Sequence, residues 1–332
     1  MATPQTILTR KTKVAIFLVA TINEGAEQAV HDFLPELAGL TSAVSSRAPE
    51  AALAAIVGIG SDAWDRLFDG PRPASLRPFT PLTGPVHSAP STPGDLLLHI
   101  KADQLDQCYE VGRLITGALG AAITVVDEVH GFRYFDLRDL IGFVDGTENP
   151  TGQDAIDTIV ATGDDGCAGG SYVAIQRYVH DLTAWRALST EDQEAAIGRT
   201  KADNIEMSDE VKPANSHIAL NVITDDDGNE LEIVRDNMPY GDVSGTGESG
   251  TFFIAYSATP DITERMLRNM FLGDPPGNHD RLLDFTTAVS GAQFFAPTVK
   301  FLSAPPPLPV ADAPEPPAST PAGGALGIGS LH

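Results

Sequence analysis

Three separated stretches of the chain carry side chains that could do chemistry together. Asp145 lies between glycines in the stretch 142–150, His217 follows a loop at 213–216, and Arg235 begins the group 235–237. A carboxylate, an imidazole and a guanidinium are the minimum set for holding an iron ion on one side of a flat cofactor and cleaving a peroxide on the other. The spacing therefore predicts one composite site.

Each of these residues also has a more ordinary interpretation. An aspartate before a glycine usually bonds its own backbone, so Asp145 alone is an even choice between a turn residue and a reactive acid. A lone histidine is more often structural, but His217 follows a loop and is expected to open a strand, where its imidazole can point into a cleft. A hairpin turning at 227–228 would place Arg235 opposite Leu220, about 10 Å from His217.

Composition and charge limit the class of protein. The 332 residues are 42% hydrophobic, enough for one large core or two moderate ones. The formal net charge of −24 repels phosphate backbones and anionic membranes, so we expect neither nucleic acid nor a membrane as partner. Two cysteines favour a reducing compartment. The apolar run 14–22 lacks a cleavage site and is too short to span a bilayer, which predicts a buried strand and a cytoplasmic protein.

Strand-like and helix-like segments alternate in two similar passes, which predicts an α+β chain of two halves. Strands are predicted at 14–22, 52–59, 95–101, 124–135, 171–180, 218–223, 231–236 and 251–257. Helices are predicted at 28–40, 61–68 with Ser61 as N-cap, 102–119, 182–187, 190–198 and 259–272. The expected divisions are a loose arm at 1–11, a first half at 12–150, a second half at 151–303 and a tail at 304–332.

The tail is rich in proline and has few large apolar side chains, which is typical of an extended, disordered tether. Aliphatic side chains return between glycines at its end, in Leu326, Gly327, Ile328, Gly329, Ser330 and Leu331. An apolar tip on a solvated tether predicts a docking peptide, and a frayed terminus is the alternative.

The chain from about residue 12 to residue 302 resembles the bacterial dye-decolourising peroxidases of the B type. Five separated motifs carry the resemblance in family order, at 142–150, 197–201, 213–217, 233–239 and 270–273. The resemblance implies two tandem ferredoxin-like halves, with one non-covalent haem b per chain in the second half. It also implies hydrogen peroxide as oxidant, dyes or phenolic compounds as reducing substrates, and a homo-oligomer, either a dimer or a hexamer.

The same resemblance implies roles for individual residues. The catalytic residues would be a distal acid, a distal arginine and a distal-pocket amide: Asp145, Arg235 and Asn237. The cofactor-binding residues would be His217 as axial ligand of the haem iron, Arg199 as partner of a propionate, Glu148 nearby, and Asp284 as acceptor from the axial imidazole.

The tail resembles the C-terminal cargo-loading peptides of proteins packed into encapsulin nanocompartments, through residues 326–331. This second resemblance implies an encapsulin shell protein as partner. It places the enzyme in the cytoplasm, inside such a compartment.

Other functions stay open on the residues alone. A haem carrier or haem-processing protein would share His217 but would not need Asp145 and Arg235, and a hydrolase built on Asp145 and His217 lacks a nucleophile motif. The sequence also leaves open whether Asp145 or Arg235 dominates peroxide cleavage. Trp185 or Tyr240 could pass electrons from the surface, or could simply pack.

Overall fold

The structure is a computed structural model, and it describes residues 3–163, 166–244 and 247–310. The expected docking residues at 326–331 lie outside the described residues, as does most of the proline-rich tail.

The first half follows the order strand, helix, strand, strand, helix, strand, with a short hairpin and two additional helices inserted. Its elements are β1 Val14–Ile22, α1 Glu27–Phe33, α2 Leu37–Ser45, β2 Ala54–Gly60, α3 Ser61–Leu67, β3 Leu82–Thr83, β4 Ser88–Ala89, β5 Leu96–Ala102, α4 Leu105–Leu119 and β6 Ile123–Phe132. This order is that of a ferredoxin-like unit.

The second half repeats the order with longer insertions. Its elements are α5 Gly152–Ile159, β7 Ser171–His180, α6 Leu182–Ala187, α7 Thr190–Ile197, α8 His217–Asn221, β8 Ile223–Thr224, β9 Glu230–Leu231, β10 Val234–Arg235, β11 Met238–Gly241, β12 Ser249–Ser257, α9 Pro260–Leu272, β13 Thr286–Ala288, β14 Ala292–Ala296 and α10 Val299–Ser303.

Within the described ranges, the two halves share one ten-stranded sheet. Its main path runs β10-β12-β7-β14-β2-β5-β1-β6, with β11 beside β12 and β13 beside β7. The halves join where β14 pairs antiparallel with β2, through Phe294 opposite Gly60 and Phe295 opposite Ile59. The predicted α+β fold of two ferredoxin-like halves is confirmed, and the joint makes a single continuous sheet.

The sheet folds back on itself and buries a core between the halves. Phe17 of β1 stacks on Phe252 of β12 with ring centroids 4.1 Å apart, although these strands lie far apart in the sheet order. Neighbouring residues of β1 point alternately into this core and into the core under the first-half helices. A strand buried on both faces needs the continuous apolar run that the sequence shows.

Several local expectations were wrong. The segment at 218–223 was expected to be a strand, but α8 and the start of β8 occupy it. The Ser216 hydroxyl caps this short helix by accepting from the Ala219 amide at 3.4 Å. Gly60, and not Ser61, is the N-cap of α3, and the Ser61 hydroxyl accepts instead from Arg72 at 2.8 Å.

The expected loose arm and tether are packed where the structure describes them. The Gln5 amide donates to the Val57 carbonyl at 2.8 Å, and Ile7 is 3% exposed. At the other end, the carbonyl oxygen of Pro306 lies 2.7 Å from His31 Nε2, and that of Pro307 accepts from the Asp69 amide. The packed part of the chain thus extends at least through residue 307.

None of the helices in the described ranges has the length and apolar character needed to cross a bilayer.

Candidate functional site

Asp145 is presented by a tightly bonded turn. Gly142 and Gly146 adopt φ values of +93° and +72°, which other residues rarely tolerate. The Asp145 amide donates to the Leu137 carbonyl at 2.8 Å, and Phe143 packs edge-on against Trp185 with ring centroids 6.1 Å apart. The backbone is therefore fixed on both sides of Asp145, whose carboxyl lines a large cavity.

Trp185 is part of the packing that supports this turn. Its side chain is 1% exposed, and its indole Nε1 donates to the Ile141 carbonyl at 2.8 Å. Together with Ile141, Phe143 and Ile197 it belongs to one buried apolar cluster. Tyr240, the other aromatic singled out in the sequence, is also buried, and its hydroxyl donates to the Tyr178 carbonyl at 3.0 Å.

Asn237 orients the Asp145 carboxylate. Its Nδ2 donates to Asp145 Oδ2 at 3.0 Å, while its Oδ1 accepts from the Ile254 amide of β12 at 2.9 Å. Because the backbone amide requires an acceptor, the bond to Ile254 assigns the orientation of the Asn237 amide and turns its donor toward Asp145. The structure thus brings together two of the residues singled out in the sequence.

Arg235 lines the same cavity, and its backbone is clamped from two sides. Asn149 Oδ1 accepts from the Arg235 amide at 3.0 Å and Asn149 Nδ2 donates to its carbonyl at 2.6 Å, while Lys11 Nζ donates to the same carbonyl at 2.8 Å. Among the described residues the guanidinium has no hydrogen-bond partner, so it can donate into the cavity. Nothing in the residues around Asn149 indicated this role.

Arg235 does not occupy the expected register. The hairpin at 225–228 is confirmed, but it pairs Ile223 with Leu231, one residue away from the predicted alignment. Each of its strands has only two residues, and Arg235 pairs with Ala255 of β12, not with Leu220. Pairing with β12 makes Arg235 part of the ten-stranded sheet instead of the predicted hairpin.

His217, the first residue of α8, is held by a buried carboxylate. Its Nδ1 lies 2.7 Å from Asp280 Oδ2, and Asp280 is 0% exposed. The other oxygen, Asp280 Oδ1, accepts from the Leu282 amide at 2.9 Å. The carboxylate oxygen accepts at Nδ1, so the tautomer that fits this contact carries its proton on Nδ1 and leaves the Nε2 lone pair available for a metal. Nε2 has no partner among the described residues.

The prediction that Asp284 accepts from the His217 imidazole is wrong. Its Oδ1 lies 2.9 Å from His87 Nε2 and 3.2 Å from His279 Nε2, which places it in a different cluster. Two backbone hydrogen bonds fix the position of Asp280. Its amide donates to the Met270 carbonyl at 2.9 Å, and the Arg281 amide donates to the Asn215 carbonyl at 3.0 Å. These long-range bonds bring Asp280 beside the loop that precedes His217.

Arg199 and Glu148 meet at the cavity, as a pair. Arg199 Nη2 contacts Glu148 Oε1, and it also lies 3.2 Å from Glu206 Oε2. Arg199 and Glu148 both line the cavity. The guanidinium is therefore balanced by two carboxylates before any anionic ligand arrives.

A second buried acid, which sequence reasoning missed, closes the cavity wall. Asp139 Oδ1 lies 3.3 Å from His180 Nε2, and its Oδ2 accepts from the Thr251 hydroxyl. Burial opposes ionisation of Asp139, but hydrogen bonds from His180, Thr251 and the Ile141 amide outweigh it and hold the pKa of this carboxyl below its ordinary value. The partners come from separate elements, so no local spacing could have revealed them.

The cavity and the open solvent at its mouth together occupy about 1410 Å³. Polar and charged groups line one part of it, among them Asp145, Arg235 and Asn237. Apolar side chains line another, in Ile218, Val222, Phe253, Met266, Leu267 and Met270. A large apolar pocket with a few convergent polar groups is the usual form of a cofactor site.

Comparisons with known proteins agree along the whole described chain. The family model described as Dyp-type peroxidase, N-terminal, matches residues 4–133, and the corresponding C-terminal model matches residues 136–301. A dye-decolorizing peroxidase of Mycobacterium tuberculosis is 60% identical over 329 residues, 99% of this chain and 96% of that protein. One from Mycolicibacterium paratuberculosis is also 60% identical, covering 99% and 92%.

Solved structures give the same result. The encapsulated DyP-type peroxidase from Mycobacterium smegmatis superposes with a TM-score of 0.91 at 58% identity, covering 93% of this chain and 100% of that one. A variant of a Rhodococcus jostii enzyme, solved in complex with haem, has a TM-score of 0.88 at 52% identity and covers 91% and 98%.

Proposed function

Because the chain belongs to the Dyp-type peroxidase family and is a haem peroxidase, we propose that it holds one haem b non-covalently through His217 and uses hydrogen peroxide to oxidise dyes, phenolic compounds or similar one-electron donors. The observation that carries this proposal is the convergence of three groups on one cavity. These are His217 with an available Nε2, the Asp145–Asn237 pair, and the guanidinium of Arg235, which has no partner in the described part of the chain.

The residues of the cavity fit a haem. Asp280 orients the His217 ring and makes it a stronger electron donor, as acceptors commonly do for metal-bound imidazoles. The apolar residues of α8 and α9 suit a flat hydrophobic ring, while Arg199 offers a cation to its carboxylates. Arg199 would share its guanidinium between Glu148, Glu206 and a propionate. When bound, the haem supplies the iron and the electrons with which peroxide is reduced.

Asp145 and Arg235 are the groups we assign to peroxide cleavage. The Asp145 carboxylate accepts a proton from one peroxide oxygen and delivers it to the other, and Asn237 keeps the carboxylate turned toward the cavity. Arg235 donates hydrogen bonds to the oxygen on which negative charge develops. Because the Arg235 guanidinium has no partner among the described residues, no existing bond must break first.

The first experiment tests the axial ligand. We expect His217→Ala to lose most of its haem, measured as Soret absorbance per protein, and to lose peroxide-dependent dye oxidation. His130→Ala is a matched control, because His130 lies on exposed β6 and contacts Glu128 at 2.7 Å. Full haem content and full turnover in the His217 variant would overturn the proposal. A wild-type Soret band that peroxide leaves unchanged would favour the haem carrier instead.

A paired substitution tests the carboxylate behind His217. Asp280→Ala should lower haem affinity or turnover by roughly 10- to 100-fold, which is typical when the acceptor behind a metal-bound histidine is removed. Asp284→Ala should leave both near wild type without added metal, although it lies only four residues away. Equal effects of the two substitutions would contradict the assignment of Asp280.

A third experiment separates the two residues assigned to peroxide cleavage. The rate of the first reaction with peroxide, followed by stopped-flow absorbance, should fall by roughly 100-fold or more in Asp145→Ala, Arg235→Ala or both, with haem retained. The larger loss identifies the dominant group. If both variants react at the wild-type rate, neither acts on peroxide.

The role of the tail is proposed from similarity to another protein. The neighbouring Mycobacterium smegmatis enzyme is described as encapsulated, which supports an encapsulin shell protein as partner of residues 326–331 and a location inside a cytoplasmic nanocompartment. Co-expression with a shell protein should yield particles that contain the full chain but not a variant ending at residue 325. Equal loading of both would refute the assignment. Light scattering of the free enzyme would distinguish the proposed dimer from a hexamer.

A further inference from the structure

We propose that His87, His279 and Asp284 form a binding site for a divalent transition-metal ion of the zinc class, separate from the cavity. The Nε2 atoms of both imidazoles lie within hydrogen-bond distance of the same oxygen, Asp284 Oδ1, at 2.9 and 3.2 Å. The three ligand atoms all lie within 4.8 Å of one another. None of these residues lines the cavity.

The donor set determines the class of ion. Two imidazole nitrogens and one carboxylate oxygen suit zinc and neighbouring late transition metals, whereas magnesium and calcium prefer oxygen ligands alone. Zinc bonds of about 2.1 Å in a tetrahedron place ligand atoms roughly 3.4 Å apart. The separations of 2.9 and 3.2 Å between Asp284 Oδ1 and the two Nε2 atoms need only small shifts to reach this value. Between a fifth and half of each side chain is exposed, so an ion can enter and water can complete its coordination.

The backbone that carries these ligands is already fixed. His87 lies in the hairpin between β3 and β4, whose Leu82 and Ala89 pack in one core cluster with Phe271 and Leu283. At Gly84 of this hairpin, a Cβ atom would lie 2.0 Å from the Phe271 carbonyl oxygen, so the hairpin sits directly on the end of α9. Rigid flanking packing lowers the cost of assembling a metal site.

The site joins the two halves of the molecule. His87 and Asp284 are separated by 197 positions in the chain, and an ion bound to both would link the β3–β4 hairpin to the segment 279–284. That segment contains Asp280, the acceptor for His217. Since the ligands come together only in the folded chain, metal binding should stabilise the folded state by mass action.

The same contacts could also exist as a simple hydrogen-bonded group in which both histidines donate to Asp284. The chain's net charge of −24 will in addition attract cations without specificity. The His130–Glu128 pair supplies a matched comparison, because it has a histidine and a carboxylate 2.7 Å apart but only one imidazole in contact.

The test is calorimetric titration of zinc chloride into the haem-loaded full chain without an affinity tag. We expect one saturable site that excess magnesium does not displace, weakened at least about tenfold in His87→Gln and in Asp284→Asn and unchanged in His130→Gln. Zinc should also raise the unfolding temperature of the wild type but not of His87→Gln. Absence of saturable binding, or zinc affinity unchanged in His87→Gln, would overturn the proposal. The haem content of each variant verifies folding and does not depend on zinc.

Discussion

Replacing Lys101 by methionine should destabilise the fold through the carboxylate it neutralises. Lys101 is 2% exposed, and its Nζ donates to Asp236 Oδ2 and to the Ile7 carbonyl, both at 2.7 Å. Asp236 lies between Arg235 and Asn237 and is 8% exposed. Burial opposes its ionisation, but Lys101 and then Lys11 outweigh this and hold the pKa of Asp236 well below its ordinary value.

The expected loss of stability arises because the Asp236 charge stays buried without Lys101. Breaking a buried ion pair by removing one partner typically costs about 3–5 kcal/mol. Lys11 remains 3.2 Å from Asp236 Oδ1, so we take the lower value of about 3 kcal/mol, more than a hundredfold in the unfolding constant. Because about 1 kcal/mol shifts the unfolding temperature of a mid-sized protein by 2–4 °C, a fall of roughly 6–12 °C is expected.

The effect should also depend on pH. In the wild type, the lowered pKa of Asp236 means that its stabilising contribution is present above the unfolded pKa of about 3.9 and is lost as the pH falls through the folded pKa. Without Lys101 the pKa of Asp236 rises, because burial is no longer balanced by that cation. The deficit in stability should therefore be greatest near neutral pH and should narrow as acid protonates the carboxylate.

Calorimetric unfolding temperatures of the haem-loaded protein at several pH values would measure this. Lys13→Met is the matched control, since that lysine side chain is exposed and its loss should change stability by less than about 0.5 kcal/mol. The double variant Lys101→Met with Asp236→Asn should recover part of the deficit, because no charge is then left buried. A deficit equal to that of the control, or one that does not vary with pH, would refute the electrostatic explanation.

Two further predictions concern how the site and the sheet are supported. Asn149→Ala removes both side-chain bonds to the Arg235 backbone, so the peroxide reaction should slow while haem content is retained; unchanged stopped-flow rates would show that β-sheet pairing alone positions the arginine. Gly58→Ala would place a Cβ 2.9 Å from the Phe294 Cβ, and this overpacking should cost about 1–3 kcal/mol in denaturant unfolding. Wild-type stability in that variant would mean that β14 can shift away from β2.

The elements predicted best from the sequence are long and buried. The strands at 14–22 and 171–180 have the predicted limits, since a long apolar run leaves little ambiguity. The segment at 217–221 failed for the opposite reason: five residues make little more than one helical turn, too few to show a period. The bond from the Ala219 amide to Ser216 decides its conformation, and that bond is visible only in three dimensions.

Local sequence likewise does not distinguish the two aspartates near His217. Asp280 and Asp284 are both acids in one short segment, and nothing in their local sequence states which one faces His217. Tertiary contacts decide which aspartate faces His217. The Asp280 amide donates to the Met270 carbonyl, while the Asp284 carboxylate contacts His87. A motif can therefore identify the residues proposed to bind and react, as at 145 and 217, while the residues that orient them depend on tertiary packing. Asp280 and Asn149 act through other residues, so substitution at these two positions tests the structure more severely than substitution of the motif residues.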